Sequence, residues 1–241
     1  MRHILLLLAT WLYCLPAMAG ETVILSQRDD PLAHIAASIV SSAFHRIALD
    51  VLFKPLPPER ALQDANKGET AGDIARIAGI EKQYANLVMV PEPLLNFDTL
   101  AFTTGLSFKV DGWESLRPYR LCVLRAMKLA EQGTEGMDRI LGNDSSQIIL
   151  MLRAGRCDVG IFAHYIWPEV DRLQAGPLRM LEPPISSLPL YLYLNKSQAA
   201  LGPRLAEALR QMRRDGSTDR IIMDAQKDIA AARSRNEMPA K

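Results

Sequence analysis

The sequence predicts a two-lobed α/β protein, and three observations lead to this fold class. Short apolar runs alternate with segments whose apolar residues recur at helical spacing, a pattern typical of parallel sheets covered by helices. The alternation occurs twice, and the second unit starts at Tyr119. Extended segments at Leu100–Thr103 and Leu190–Leu194 are similar in composition and link the two units. We therefore expect two lobes with a cleft at the carboxyl ends of the parallel strands, where open α/β sheets bind ligands.

The N-terminal segment has the three parts of a secretory signal peptide. Arg2-His3 precede an apolar run, Ile4–Leu15, and Ala17-Met18-Ala19 forms an A-x-A cleavage site. The run is shorter than the ~20 residues that a membrane-spanning helix needs. A buried N-terminal strand or helix is the alternative. We expect residues 1–19 to be removed and the remaining chain to be exported.

The first unit has the pattern β-α-β-α-β. Its expected elements are a strand at Thr22–Leu25, a helix from Pro31 to Ile47, a strand at Val51–Lys54, a helix at Glu59–Lys67 and a strand at Asp73–Ile77. Pro31 suits the first turn of a helix, and Gly68 is typical of the residue after a helix end.

The second unit repeats the alternation less regularly. Its expected elements are a strand at Tyr119–Leu124, a partly helical stretch at Lys128–Leu141, a helix at Ser145–Leu152, a strand at Val159–Phe162 and a late helix across Leu201–Met212. The tail after Ala225 is expected to fray. We expect one lobe to comprise residues 20–103 and 195–241, and the other residues 104–194.

Composition excludes some classes of protein and site. Residues 1–19 carry one of the 28 basic residues and none of the 27 acidic ones, so the mature chain is formally neutral. A nucleic-acid-binding protein would need a basic face. Cys122 and Cys157 lie in or beside predicted strands, where they form a disulfide if those strands are neighbours and are otherwise two small buried thiols. Neither belongs to a C-x-x-C pair and histidine is rare, so we expect no metal and no cofactor.

Several motifs resemble those of periplasmic solute-binding proteins of family 3, whose members bind polar amino acids for ABC importers. Glu59-Arg60-Ala61-Leu62, Lys67-Gly68-Glu69 and Gly72–Ile77 are similar to that family's first lobe. Leu150–Val159, with its Gly155-Arg156-Cys157-Asp158, resembles the second lobe, and Leu209–Ser217 resembles the C-terminal closure. The resemblance implies a type II periplasmic binding fold that closes over a small solute and delivers it, as a monomer, to a membrane permease.

Two anchors of the family are missing from this sequence. Gln83 occupies the position of the arginine that holds the ligand carboxylate in amino-acid binders. Ala163-His164-Tyr165 stands where an acidic residue would take the ligand ammonium. The resemblance therefore favours a small polar ligand, anionic or amino-acid-like, without indicating a standard α-amino acid.

The candidate ligand-binding residues of the first lobe follow its first and third strands. Arg76 ends the third strand and would clamp an anion, or else form a structural ion pair with Asp73 or Glu81. Ser26, Gln27 and Arg28 follow the first strand and contact the ligand, or else form a helix-entry turn.

The candidate residues of the second lobe and the crossing are mostly basic. Arg125 and Lys128 follow the strand that opens the second lobe and would face Arg76, unless they belong to a solvated loop. His164 would make binding sensitive to pH near neutrality, or else it is a packed or surface histidine. The resemblance adds Thr103, at the first crossing.

Two other functions stay open. A sensor that reports a solute to a membrane receptor would have the same sequence features as a transport protein. An enzyme on the same scaffold is a weaker alternative, because no Ser-His-Asp arrangement, H-E-x-x-H motif or glycine-rich phosphate loop occurs and the expected cleft positions are basic rather than acidic. We expect a binding protein rather than an enzyme.

Overall fold

The computed structural model describes residues 22–125, 127–163 and 166–236. The strands are β1 (Val23–Gln27), β2 (Val51–Pro55), β3 (Gly72–Arg76), β4 (Leu87–Met89), β5 (Leu95–Thr103), β6 (Leu121–Leu124), β7 (Arg139–Gly142), β8 (Val159–Ala163) and β9 (Arg179–Asn195). The helices are α1 (Pro31–Arg46), α2 (Pro58–Lys67), α3 (Lys128–Gly133), α4 (Ser145–Arg153), α5 (Trp167–Arg172), α6 (Gly202–Arg214) and α7 (Ser217–Asn236).

These strands form one mixed sheet in the order β2-β1-β3-β9-β5-β8-β6-β7, with β4 paired to β9. β1 runs parallel to β2 and β3, and β6 runs parallel to β7 and β8. The long strand β9 is antiparallel to β3, β4 and β5. Gly72 allows the close approach of β3 and β9, because a Cβ there would lie 2.1 Å from the carbonyl oxygen of Tyr193.

The buried apolar side chains separate into clusters along the chain. The largest joins β1, α1, β3, α6 and the end of β9, and it includes Leu25, Phe44 and Leu209. Two further clusters lie on opposite faces of β6 and β8. One includes Ile148 and the other includes Ile161. We call β1–β4 with α1, α2, α6 and α7 the first lobe, and β6–β8 with α3–α5 the second lobe. β5 and β9 connect them, and the boundaries at 103/104 and 194/195 stay a prediction.

Capping residues explain where the helices that follow β1 and β7 begin. Asp30 precedes α1 and its Oδ1 accepts a hydrogen bond from the backbone N–H of Ala33 at 2.8 Å. Asp144 does the same for α4, accepting from the backbone N–H of Gln147 at 2.8 Å. Each carboxylate satisfies an N–H group that would otherwise lack a partner at the helix start.

Two regions differ from the sequence expectation. The stretch expected to be partly helical, Lys128–Leu141, divides into α3 and the strand β7, because Gly136 turns the chain at φ 73° and β7 pairs with the free edge of β6. The tail expected to fray after Ala225 continues α7 to Asn236.

A disulfide joins Cys122 on β6 to Cys157, which lies just before β8, with their Cα atoms 5.8 Å apart. The two strands are neighbours in the sheet, which is the arrangement that such a bridge requires. The predicted signal peptide, residues 1–19, lies outside the described residues. Within the described ranges, none of the helices has both the length and the apolar character needed to span a membrane.

Candidate functional site

A cavity of about 620 Å³ lies between the lobes at the carboxyl ends of β1 and β3. The first lobe supplies most of its wall, while β5 contributes Phe97, β9 contributes Leu190 and β8 contributes Ala163. The cavity therefore touches both connecting strands and one strand of the second lobe. Its position is where open α/β sheets bind ligands.

Arg76 ends β3 and forms part of this wall. Its Nε donates to Asp73 Oδ2 at 2.5 Å and its Nη2 donates to the carbonyl oxygen of Pro58 at 2.9 Å. Only 9% of the residue is exposed. Of the two ion-pair partners considered from the sequence, Asp73 is the one used, since Glu81 accepts from the Tyr193 hydroxyl at 2.9 Å. Arg76 thus combines a buried ion pair with a position in the cavity wall.

The backbone at Ala75 sets the direction of Arg76. Ala75 has φ 58°, in the left-handed region that costs a residue with a Cβ about 1–2 kcal/mol. The pairing of β3 with β9 shifts register between Asp73 and Arg76 at the same place. Such irregularities re-aim a side chain at a strand end. Here the result is that Arg76 reaches back to Asp73 while lining the cavity.

Asp73 is fully buried behind Arg76. Burial raises the pKa of its carboxyl above the ordinary value, and the attraction of the Arg76 guanidinium opposes that rise without cancelling it. The pair is therefore sensitive to the loss of either partner, because a lone charge at this depth would be poorly solvated.

Arg28 is the second arginine of the wall. Its Nε donates to Asp30 Oδ2 at 2.7 Å and its Nη1 donates to the carbonyl oxygen of Ala75 at 3.0 Å. Burial acts to raise the pKa of Asp30, but hydrogen bonds from Arg28 and from the backbone of Ala33 outweigh it and hold that pKa below its ordinary value. Asp30 is therefore a carboxylate at neutral pH that both caps α1 and positions Arg28.

The two arginines retain hydrogen-bonding capacity toward the cavity. A guanidinium has five N–H donors, and within the described part of the chain each of Arg28 and Arg76 uses two of them. Apart from Asp30, the rest of the described wall is apolar and consists of Pro31, Leu32, Leu62, Ala75, Ile77, Ile80, Phe97, Ala163 and Leu190. This arrangement can hold an anionic group against the arginines and an apolar group beside them.

The other first-lobe candidates lie outside this wall. Ser26 is fully buried, and its hydroxyl contacts the carbonyl oxygens of Gly72 at 2.9 Å and Ala61 at 3.1 Å, which ties β1 to β3 and α2. Gln27 is 7% exposed, and its Oε1 has no hydrogen-bond partner among the described residues. Ligand contact by Ser26 or Gln27 stays a prediction.

Thr103 is buried at the far end of β5, where its hydroxyl donates to the carbonyl oxygen of Leu106 at 2.8 Å. The cavity meets β5 at Phe97 instead, six residues earlier. At about 3.3 Å per residue, these positions are about 20 Å apart along the strand. Ligand contact by Thr103 stays a prediction without a supporting contact.

Arg125 and Lys128 are exposed at the start of the second lobe. Arg125 Nε donates to Asn143 Oδ1 at 3.3 Å, and Lys128 Nζ lies 3.8 Å from Glu131 Oε2. Neither belongs to the cavity wall. His164 lies outside the described residues, so its role stays a prediction. Gln83, at the position of the family arginine, is exposed and away from the wall.

Sequence reasoning overlooked Phe97, Ile77, Ile80 and Leu190, and it left Arg28 between ligand contact and a helix-entry turn. A usable signal was present for Arg28, since an acidic residue two positions later at a helix start is a ready partner for a guanidinium. The apolar wall carried no such signal, because apolar residues in these segments are equally typical of a core.

Comparisons with known proteins give one relative by sequence and many solved structures of similar fold. No family model matches the chain. An uncharacterized protein of Shewanella oneidensis is 26% identical over 202 residues, covering 79% of this chain and 75% of that protein.

Solved structures of similar fold include the probable amino-acid ABC transporter extracellular-binding protein of Bacillus subtilis (TM-score 0.68, 13% identity, covering 85% of this chain and 98% of that one). A histidine kinase sensor domain with similarity to periplasmic binding proteins has a TM-score of 0.60 at 17% identity, covering 85% and 96%. An arginine transport system periplasmic binding protein of Legionella pneumophila has a TM-score of 0.58 at 14% identity, covering 85% and 99%. The chain has the bilobal α/β fold of the type II periplasmic binding proteins.

Proposed function

We propose that this protein is a periplasmic solute-binding protein that captures a small anionic organic solute in the interlobe cavity and delivers it to an ABC importer. The observation that carries the proposal is the pair of cavity-lining arginines, Arg28 and Arg76, at the carboxyl ends of β1 and β3. Export by the N-terminal segment, residues 1–19, is part of the same proposal.

The arginines favour a carboxylate because of the donors that they have left. Their side chains are held by Asp30, Asp73 and two backbone carbonyls, so little side-chain entropy is lost when a ligand binds. The remaining N–H groups match the two oxygens of a carboxylate, which an arginine can bind through paired hydrogen bonds.

The connecting strands supply the link between binding and closure. Phe97 on β5 and Leu190 on β9 line the cavity, and Ala163 brings the second lobe into contact with the same space. A ligand that touches all of these parts binds better when the lobes approach, and such a difference in affinity is what shifts a protein toward its closed state.

Sensing is the alternative function, and the fold similarity to a histidine kinase sensor domain supports it. A sensor would use the same cavity and differ only in its membrane partner. Co-purification of the ligand-loaded protein with the membrane proteins of its source, followed by identification of the bound protein, distinguishes a permease from a receptor.

Catalysis has less support, since Asp30 is the one carboxylate of the described wall and it is already bonded to Arg28.

The test of ligand class is calorimetry and thermal unfolding of residues 20–241 with carboxylic acids, amino acids, neutral sugars and amines. We expect a carboxylic acid to raise the melting temperature, as any ligand specific for the folded state does. Arg28→Ala should weaken the binding of that acid by about tenfold or more, because the variant lacks a charge-assisted hydrogen bond to the ligand. If only neutral or cationic solutes raise the melting temperature, the proposal of an anionic ligand is wrong.

Arg125→Ala is the matched control for Arg28→Ala. Both arginines directly follow the first strand of their lobe, at Gln27 and Leu124, but only Arg28 lines the cavity. We expect Arg125→Ala to change the affinity by no more than about twofold, as for an exposed residue outside the site. If both variants lost affinity equally, the loss would come from long-range charge and not from a contact in the cavity.

A further inference from the structure

A second cavity of about 280 Å³ adjoins the first on the side of the second lobe. The two cavities share Phe97 and Ala163 in their walls. They therefore follow one another along the cleft, with the β5 and β8 side chains at their junction. The two cavities are therefore adjacent, and the first lies at Arg28 and Arg76 while the second lies within the second lobe.

The walls of the two cavities have opposite chemistry. Arg28, Asp30 and Arg76 are in the first wall. The second is formed by Leu124, Met127, Phe162 and Ile166 together with the two shared residues, and among the residues that the structure describes Ser145 contributes its one polar side chain. The basic residues next to it in sequence, Arg125 and Lys128, are exposed and outside the wall.

We propose that the ligand is an amphipathic monocarboxylate, with its carboxylate at Arg28 and Arg76 and its apolar body lying over Phe97 and Ala163 into the second cavity. This inference rests on the proposed function, because it places the anionic group at the same two arginines. It adds the chemical class of the solute: an aliphatic or aromatic acid with one charge at one end.

The second wall disfavours a ligand with a second charge at its far end. A second carboxylate there would be desolvated among apolar side chains, where the described residues supply no cation, and such desolvation is costly. The site therefore selects against dicarboxylates.

The test is calorimetric titration of residues 20–241 with a matched set of solutes. The set comprises straight-chain acids from butanoate to octanoate, 3-phenylpropanoate, octanedioate and 1-octanol. We expect affinity to rise about fourfold for each methylene that becomes buried, until the second cavity is filled. We expect octanedioate and 1-octanol to bind at least about tenfold more weakly than octanoate.

Variants at the junction and in the second wall test the placement of the apolar body. Ala163→Leu, which adds bulk at the junction, should abolish the gain from butanoate to octanoate. Met127→Gln, in the partly buried loop before α3, should reduce the gain without narrowing the passage, and it keeps the test valid if the first variant folds poorly.

The outcomes separate the two proposals. If all acids bind with equal affinity, or if octanedioate binds as tightly as octanoate, the proposal of an amphipathic ligand is wrong. The proposal of an anionic ligand would then still stand. Binding of no acid at all, while a neutral or cationic solute binds, would overturn both. A chain-length gain that Ala163→Leu or Met127→Gln removes supports the inference.

Discussion

The two lobes are built on the same frame but present different chemistry to the cleft. In each, a central strand lies between two parallel neighbours, β2-β1-β3 in the first lobe and β7-β6-β8 in the second. Arg28 directly follows β1 and Arg125 directly follows β6. Arg28 is held in the cavity wall by Asp30 and the carbonyl of Ala75, whereas the side chain of Arg125 has Asn143 as its one partner among the described residues and stays exposed. A position directly after a strand is therefore not sufficient to bring an arginine into the cavity wall. The hydrogen-bond acceptors around the arginine decide where its side chain lies.

The third strands of the two frames differ in the same way. β3 contains the buried Asp73–Arg76 pair and the left-handed Ala75. β8 is apolar throughout, and the frame of the second lobe is held by the Cys122–Cys157 disulfide instead. The polar interactions of the first lobe thus lie in its part of the cavity wall. The second lobe contributes apolar residues to the wall, and a disulfide holds its sheet together.

Removal of Arg76 should have the largest effect on stability. Arg76→Ala leaves the fully buried Asp73 carboxylate without its ion-pair partner, which costs about 3–5 kcal/mol of unfolding free energy near neutral pH. The pKa of Asp73 is already raised by burial and should rise further without the guanidinium. The folded variant then binds a proton that the unfolded chain releases above pH 3.8, so its stability increases as the pH falls. Urea unfolding at about pH 7.5 and about pH 5 measures the loss, which should be smaller at the lower pH.

An exposed arginine–aspartate pair of the second lobe is the control for that experiment. Arg120 and Asp158 lie 3.0 Å apart with 52% and 32% of their side chains exposed. Arg120→Ala should have a much smaller effect on unfolding, because solvent screens this pair. Equal losses for the Arg76 variant at both pH values would mean that Asp73 is solvated, and the contrast between the lobes would weaken.

Removal of the disulfide should have the next largest effect and should act on the other lobe. The bridge spans 35 residues of sequence, and a loop of this size contributes about 3–4 kcal/mol by restricting the unfolded chain. Cys122→Ala with Cys157→Ala should therefore lower the free energy of unfolding by about that amount. Hydrogen exchange should accelerate in β6 and β8 and change little in β1 and β3. Wild-type protein that unfolds identically with and without reductant would show that the bridge does not brace this lobe.

Most of the frame was predictable from the sequence. Apolar periodicity, Pro31 and Gly68 are local signals, and they predicted the strands and helices of the first lobe closely. β7 was missed because its four residues pair with β6 only after the chain turns at Gly136, and an edge strand of this length has no strong local signal.

The cavity wall was less predictable, for reasons that lie in the backbone. The left-handed conformation of Ala75 is held by tertiary contacts, and an alanine gives no sign of it in the sequence. The crossing strand was expected only at Leu100–Thr103, so Thr103 was chosen, whereas β5 begins at Leu95 and meets the cavity at Phe97. Arg76 could be chosen because it ends a strand whose carboxyl end was expected to face the cleft.

The smallest effect is expected for the basic residues of the second lobe. The double change Arg125→Ala and Lys128→Ala removes two exposed cations whose polar partners, Asn143 and Glu131, belong to the same lobe. Unfolding free energy should change by no more than about 0.5 kcal/mol, as is usual for exposed substitutions. Affinity for a carboxylic acid should change by no more than about twofold at physiological salt, where charges beyond the Debye length of about 8 Å are screened. A loss of tenfold or more at that salt would mean that the second lobe contributes cations to the ligand after closure, and the division into a charged and an apolar side of the cleft would then be wrong.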